Sequence, residues 1–200
     1  MIIKPFKALF ILGLCAAAVL CLFGRCSSAE ELVKAEAALR VIFPSASSIE
    51  KREIILSQEQ IDSVEGSAEI SFAGAHSWKI IVYILKDADA VAGYAFEDTV
   101  NGKWGPIHYL VGLNPEGTVL QTIILDYHEK RGRPISKKRF LNQYKGKTIH
   151  DQVLLREDID GITGATISSR SLTDGVRKIL HIYELIKSPG SYGFESNTGK

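Results

Sequence analysis

Cysteine is the residue whose scarcity decides most. The 200-residue chain has three, Cys15, Cys21 and Cys26, all near its N-terminus. The long remainder has no thiol. That excludes a disulfide framework, a cysteine-held iron–sulfur cluster, a C-x-x-C redox pair and a c-type haem attachment from the body of the protein. If this body moves electrons, an organic cofactor has to carry them. No G-x-G-x-x-G is present and strands do not alternate with helices, which disfavours a dinucleotide fold of the Rossmann kind. Nor is there a G-x-S-x-G elbow, so Ser168, His128 and Asp126 do not make a credible hydrolase triad. The histidines, at 76, 108, 128, 150 and 181, include no pair three or four residues apart, which argues against a metal site. With a net charge of +1, nothing in the composition calls for a nucleic-acid partner.

At the N-terminus Lys4 and Lys7 precede an uncharged apolar run from Ala8 to about Gly24, and Ser27-Ser28-Ala29 offers small residues before Glu30. Residues 1–29 therefore read as a signal peptide or a membrane anchor. Both readings put the rest of the chain outside the cytoplasm, because the positive charges precede the apolar run. The expected location is the periplasm, or the outer face of the inner membrane if the segment stays uncleaved. Cleavage after Ala29 removes every cysteine. Arg25, directly before Cys26, departs from the bacterial lipoprotein pattern.

From Glu30 to Phe43 the positions Leu32, Ala35, Leu39, Ile42 and Phe43 share one face, which predicts an amphipathic helix ending before Pro44. Lys51 to Leu56 reads as a strand. Ser57 and Gln60 have capping-box spacing for a brief helix ended by Gly66. Trp78 to Leu85 is apolar on both faces and predicts a doubly covered strand. Asp87 to Asp89 turns the chain and Ala90 to Phe96 returns it. Asn101-Gly102 marks a hairpin, and Asn114-Pro115-Glu116-Gly117 marks the turn between Ile107–Leu113 and Thr118–Asp126. Four successive strands on short turns predict an α+β fold, an antiparallel β-sheet flanked by helices and preceded by the signal or anchor segment. The expected divisions are 1–29, a helical and strand segment 30–75 packing on the domain, a cofactor-binding domain 76–190, and a flexible tail 191–200.

The stretch with the most chemical content is Asp160-Gly161-Ile162-Thr163-Gly164-Ala165-Thr166-Ile167-Ser168-Ser169. Gly161, Gly164 and Ala165 leave room for a phosphate and a ribityl chain against the backbone. Leu172, Val176, Ile179, Leu180, Tyr183 and Ile186 then recur at helical spacing to about Lys187. Ser168 or Ser169 is the expected N-cap, with the free N–H groups of the first turn facing the loop. Such a helix start stabilises an anion, and Arg170 adds to it.

The stretch resembles the Asp-x-x-Ser/Thr-Gly-Ala-Thr motif of the FMN-binding domain family, found in small subunits of the Rnf and sodium-pumping quinone reductase complexes. The likeness extends over roughly Trp78 to Ile186. It implies FMN held covalently through a phosphoester at Thr166, with Asp160, Thr163, Gly164, Ala165 and Ser168 around it. Glu129 matches the Glu of the family's Glu-Thr-Pro-Gly loop, while Lys130 and Arg131 depart from it. Phe140, Tyr144 and Gly146-Lys147 resemble positions that follow in the family, and Gly102-Lys103-Trp104-Gly105-Pro106-Ile107 resembles its Gly-rich aromatic segment. Trp104 then either lies against the isoalloxazine ring or packs beside the hairpin turn. Asp160 either helps a separate FMN transferase to position the acceptor or caps its own turn.

The resemblance implies an electron-transfer flavoprotein working between redox partners rather than a stand-alone enzyme. The alternatives are a subunit of an Rnf-like membrane electron-transport complex, or an extracytoplasmic ligand-binding module without redox activity.

Overall fold

The computed structural model describes residues 26–72, 78–127 and 135–187. Most of the predicted leader, Glu129 with the rest of 128–134, and the tail after Lys187 lie outside the described residues. The first element is helix α1, Cys26–Ile42. It crosses the boundary between two compact units, Met1–Ala37 and Ala38–Lys200, and everything below concerns the second.

Five strands follow, β1 (Ser48–Leu56), β2 (Trp78–Asp87), β3 (Ala90–Asn101), β4 (Pro106–Leu113) and β5 (Val119–Tyr127). They form one antiparallel meander in sequence order, β1-β2-β3-β4-β5. This is the predicted α+β class. Helix α2 (Gln58–Ala68) joins β1 to the segment before β2, and the long helix α4 (Thr166–Lys187) closes the described chain. A short helix α3 (Lys138–Leu141) and a single 3₁₀ turn (Asn142–Tyr144) lie between β5 and α4 and were not predicted.

The period-two alternation explains the layers. One face of the sheet presents Val82, Phe96, Tyr109, Val111 and Leu113, and these join Leu172, Val176, Ile179 and Leu180 of α4 in the core cluster. Each such fully buried aliphatic side chain contributes about 1.5–3 kcal/mol. Strand β2 is buried from Val82 through Leu85, so both of its faces are covered as predicted. On the opposite face the end of α1 and the residue after it pack closely, with Ile42 over Gly112 and Phe43 over Gly93.

Three local expectations need correction. Helix α2 runs through Gly66 to Ala68, and a left-handed Glu69 ends it, its N–H bonded to the Glu65 carbonyl. Gly66 has nothing within 4 Å of where a Cβ would sit, so its missing side chain costs no contact there. The capping box at Ser57 and Gln60 is present as predicted. The β3–β4 hairpin is not closed at Asn101-Gly102. Asn101 pairs with Pro106, and the Gly102 N–H bonds to the Gly105 carbonyl at 2.8 Å, so the loop is Gly102–Gly105 and carries Trp104 at its tip. The third correction, the cap of α4, concerns the site itself.

Candidate functional site

Helix α4 begins at Thr166, three residues earlier than Ser168 as cap allows. The Ser169 N–H donates to the Ala165 carbonyl at 2.8 Å, which is the first helical bond and makes Ala165 the N-cap. Ala165 is buried, so its methyl anchors the entry to the core while a hydroxyl cap is dispensed with. The two serines work across the loop instead. Ser168 Oγ accepts the Lys103 N–H at 3.2 Å, and Ser169 Oγ accepts the Ile162 N–H at 3.4 Å. Both serines are fully buried. Sequence reasoning gave them the right neighbourhood and the wrong bond.

The loop before the helix is shaped by few contacts. Ala165 N–H bonds back to the Ile162 carbonyl at 3.0 Å. Gly164 between them has φ +82°, a left-handed conformation that glycine adopts without strain, and open space where a Cβ would be. Thr163 and Gly164 are exposed and Thr166 is half-buried. Gln143 fixes the start of the loop: its Oε1 accepts the Asp160 N–H at 2.8 Å and its Nε2 donates to the Asp160 carbonyl at 3.2 Å. The Asp160 side chain is left exposed. Gln143 went unnoticed in the sequence, where a polar residue between Phe140 and Tyr144 carries no distinguishing pattern.

Behind the loop, Asp158 organises the chain that leads to it. Its carboxylate accepts the N–H groups of Val153 and Leu154 at 3.1 and 2.7 Å and the Lys147 ammonium at 2.8 Å. Burial would raise the Asp158 pKa, but the Lys147 ammonium and these two N–H groups outweigh it and hold it below the ordinary value. Lys147 is raised in return, chiefly by its bond to Asp158. Val153 and Arg156 both have positive φ, at 45° and 77°, so this network holds backbone that L-residues rarely adopt. The predicted Gly146-Lys147 thus acts one step back from the motif.

A groove of about 460 Å³ adjoins the loop, lined by Lys137, Arg139, Phe140, Gln143 and the Asp160–Ile162 backbone stretch. The β3–β4 loop is tied to the first turn of α4 by the Lys103–Ser168 bond, with Trp104 54% exposed and the Lys103 ammonium 5.1 Å from its ring centre. The structure therefore gathers Asp160, Thr163, Gly164, Ala165, Thr166, Ser168 and the Trp104 loop into one region. Beneath it, Tyr144 Oη and Thr173 Oγ1 are 2.9 Å apart, and Thr173 Oγ1 bonds to the Ser169 carbonyl at 2.7 Å. Burial raises the Tyr144 pKa well beyond its usual range, so this hydroxyl stays protonated.

What this donor set can hold follows from its chemistry. The N–H groups of Thr166 and Ile167 lie in the first turn, ahead of the helical bond that Ser169 makes to Ala165. They adjoin Gly164, with open space where its Cβ would be, and the half-buried Thr166. That combination fits a phosphate ester.

Residues 102–181 match the FMN-binding domain family. The matched region begins at the β3–β4 loop and ends inside α4, so it contains both sides of the site just described. Proteins similar to this chain include the Regulatory protein NosR of Stutzerimonas stutzeri, 27% identical over an alignment of 161 residues that covers 72% of this chain and 22% of NosR. A component of the Na⁺-translocating ferredoxin:NAD⁺ oxidoreductase complex of Acetobacterium woodii is 26% identical, over 52% of this chain and 55% of that protein. A component of the ion-translocating oxidoreductase complex of Haemophilus influenzae Rd is 29% identical, over 48% and 53%. The chain spans about a fifth of the length of NosR and about half of each of these two complex components.

Proposed function

We propose that this protein is an extracytoplasmic flavoprotein that carries FMN through a phosphoester at Thr166 and relays electrons between redox partners. The observation that carries the reading is the placement of Thr166: a half-buried threonine as the first residue of a 22-residue helix, close to a left-handed glycine with empty space where its Cβ would be. Thr163 is exposed but lies before the helix, and Ser168 is buried in its bond to Lys103. Of the hydroxyls in the motif, Thr166 alone combines access with the helix start.

When bound, the flavin supplies the redox chemistry. The chain supplies the rest. The first-turn N–H groups stabilise the single negative charge of a phosphodiester by about 0.3–1 kcal/mol where the site is exposed. Asp160, its backbone held by Gln143, presents an exposed carboxylate for recognition by a maturing FMN transferase. Trp104 offers an apolar face that excludes water from one side of a ring. Attachment requires the Thr166 hydroxyl to lose its proton as its oxygen bonds to phosphorus and the other part of the flavin donor leaves.

The test is intact mass after co-expression with an FMN transferase. Wild type should gain one FMN less one water, and Thr166→Ala should gain nothing while losing less than about 0.5 kcal/mol of stability, since a hydroxyl at a loop edge contributes little. Added mass on the Ala variant, or none on the wild type, would overturn the assignment. A second reading, that the chain is part of a membrane complex, draws on the two relatives that are components of ion-translocating complexes. N-terminal sequencing separates the two: a start near Glu30 favours the freely secreted carrier, and Met1 recovered in the membrane fraction favours the anchored component.

A further inference from the structure

Four exposed basic side chains lie on the segments that meet at the loop before Thr166. Lys103 comes from the β3–β4 loop, Lys137 and Arg139 from the lining of the groove beside Asp160–Ile162, and Arg170 from the next turn of α4. None of the four is in an ion pair among the described residues. Among the described residues the acids beside them are Asp160 in the groove lining and Asp174, which feels Arg170 but is hydrogen-bonded to Arg177. The whole chain carries a net charge of only +1, so this excess is local. One phosphodiester charge would offset part of it and leave the face basic. At its centre are two exposed large apolar side chains, Trp104 and Ile167, each 54% exposed. Ile167 adjoins Thr166 in the chain, and the Lys103–Ser168 bond brings the Trp104 loop beside it.

We infer that this face docks an acidic electron-transfer protein, its carboxylates meeting Lys103, Lys137, Arg139 and Arg170 around an apolar centre of Ile167 and the outer edge of Trp104. The inference rests on the proposed flavin at Thr166, which makes this the side a redox partner has to approach. An apolar centre inside a charged rim is the arrangement expected of a protein contact, and complementary charge speeds encounter more than it tightens binding. A lipid surface is the weaker fit, because Lys137 and Arg139 line a concave groove that a protruding acidic loop can enter and a headgroup plane cannot.

The experiment uses the full chain, produced without transferase, with NMR signals of the Ile167 methyl and the Trp104 indole N–H as reporters. Flavodoxin serves as the acidic probe, cytochrome c as a basic one, and phosphatidylglycerol vesicles as the lipid one. Flavodoxin should shift both reporters, with affinity falling about tenfold or more between roughly 20 and 200 mM salt. Lys137→Glu with Arg139→Glu should weaken it by a similar factor, and cytochrome c should leave the reporters unmoved. Reporters silent to flavodoxin, moved equally by cytochrome c, or moved by the vesicles in its place would overturn the inference. The visible spectrum of protein co-expressed with the transferase reports on the flavin separately. A yellow protein with silent reporters sinks the docking surface alone, and a colourless one with shifting reporters sinks only the flavin.

Discussion

Thr166 and Trp104 sit on neighbouring loops, yet only one of them is fixed by its own bonds. Thr166 is held by the helix it starts, whereas Trp104 rides at the tip of Gly102–Gly105 with its ring half in solvent. The packing alternative for Trp104 requires neighbours that cover it, and 54% exposure leaves the ring available for a second plane. If the flavin lies there, Trp104 emission should be strongly quenched in flavin-bearing protein and restored in Thr166→Ala, and Trp104→Ala should alter the flavin absorption bands. Trp78, the other tryptophan, lies 4.3 Å from the Lys178 ammonium in the core and serves as the internal reference. Flavin spectra indifferent to Trp104→Ala would confine it to the docking face.

At the scale of elements, the loop that presents Thr166 is only as well placed as the stretch from Lys147 to Asp160 behind it. Asp158 makes two backbone bonds and one ion pair there. Asp158→Ala should cost about 1–3 kcal/mol in urea denaturation, the range for buried N–H groups left without an acceptor, and should lower the fraction of protein that gains FMN. The pH dependence has a definite sign. The folded-state pKa of Asp158 lies below its ordinary 3.8, so its contribution is present in full above that value and is lost as pH falls through the lower, folded-state pKa. Stability of the variant and the wild type should therefore converge in that acid window, and a constant gap across it would argue against the network. This is also where sequence reading stopped. Val153 and Arg156 adopt positive φ with no glycine to announce it, and Gln143 clamps Asp160 across 17 positions. Strands and amphipathic helices were legible because their signal is periodic, whereas a network of single polar side chains from separate segments has no period. The N-cap of α4 was misread for a related reason: Ser168 and Ser169 were both candidates for a role that falls to the buried Ala165.

The sheet and α4 form one body through a buried polar contact as well as an apolar one. Lys178 Nζ lies 2.6 Å from Asp98 Oδ2, both side chains almost fully buried, and Tyr109 Oη donates to the same carboxylate at 2.8 Å. The ammonium is also 5.3 and 4.3 Å from the rings of Phe72 and Trp78. Gly175 makes the approach feasible, since a Cβ there would collide with the Tyr109 hydroxyl. The sequence showed Lys178 only as a polar position in an amphipathic helix, because its partner is on β3, 80 residues earlier. Removing one charge leaves the other buried without its counter-ion, so Lys178→Met should destabilise the fold by about 3–5 kcal/mol. Replacing both, as Asp98→Leu with Lys178→Met, should recover much of that loss, because the desolvation cost of two ions disappears with them. Urea denaturation of the two variants and the wild type measures the difference. A single variant within about 1 kcal/mol of wild type, the usual worth of an exposed pair, would mean that apolar packing alone joins α4 to the sheet, and with it the helix start that carries Thr166.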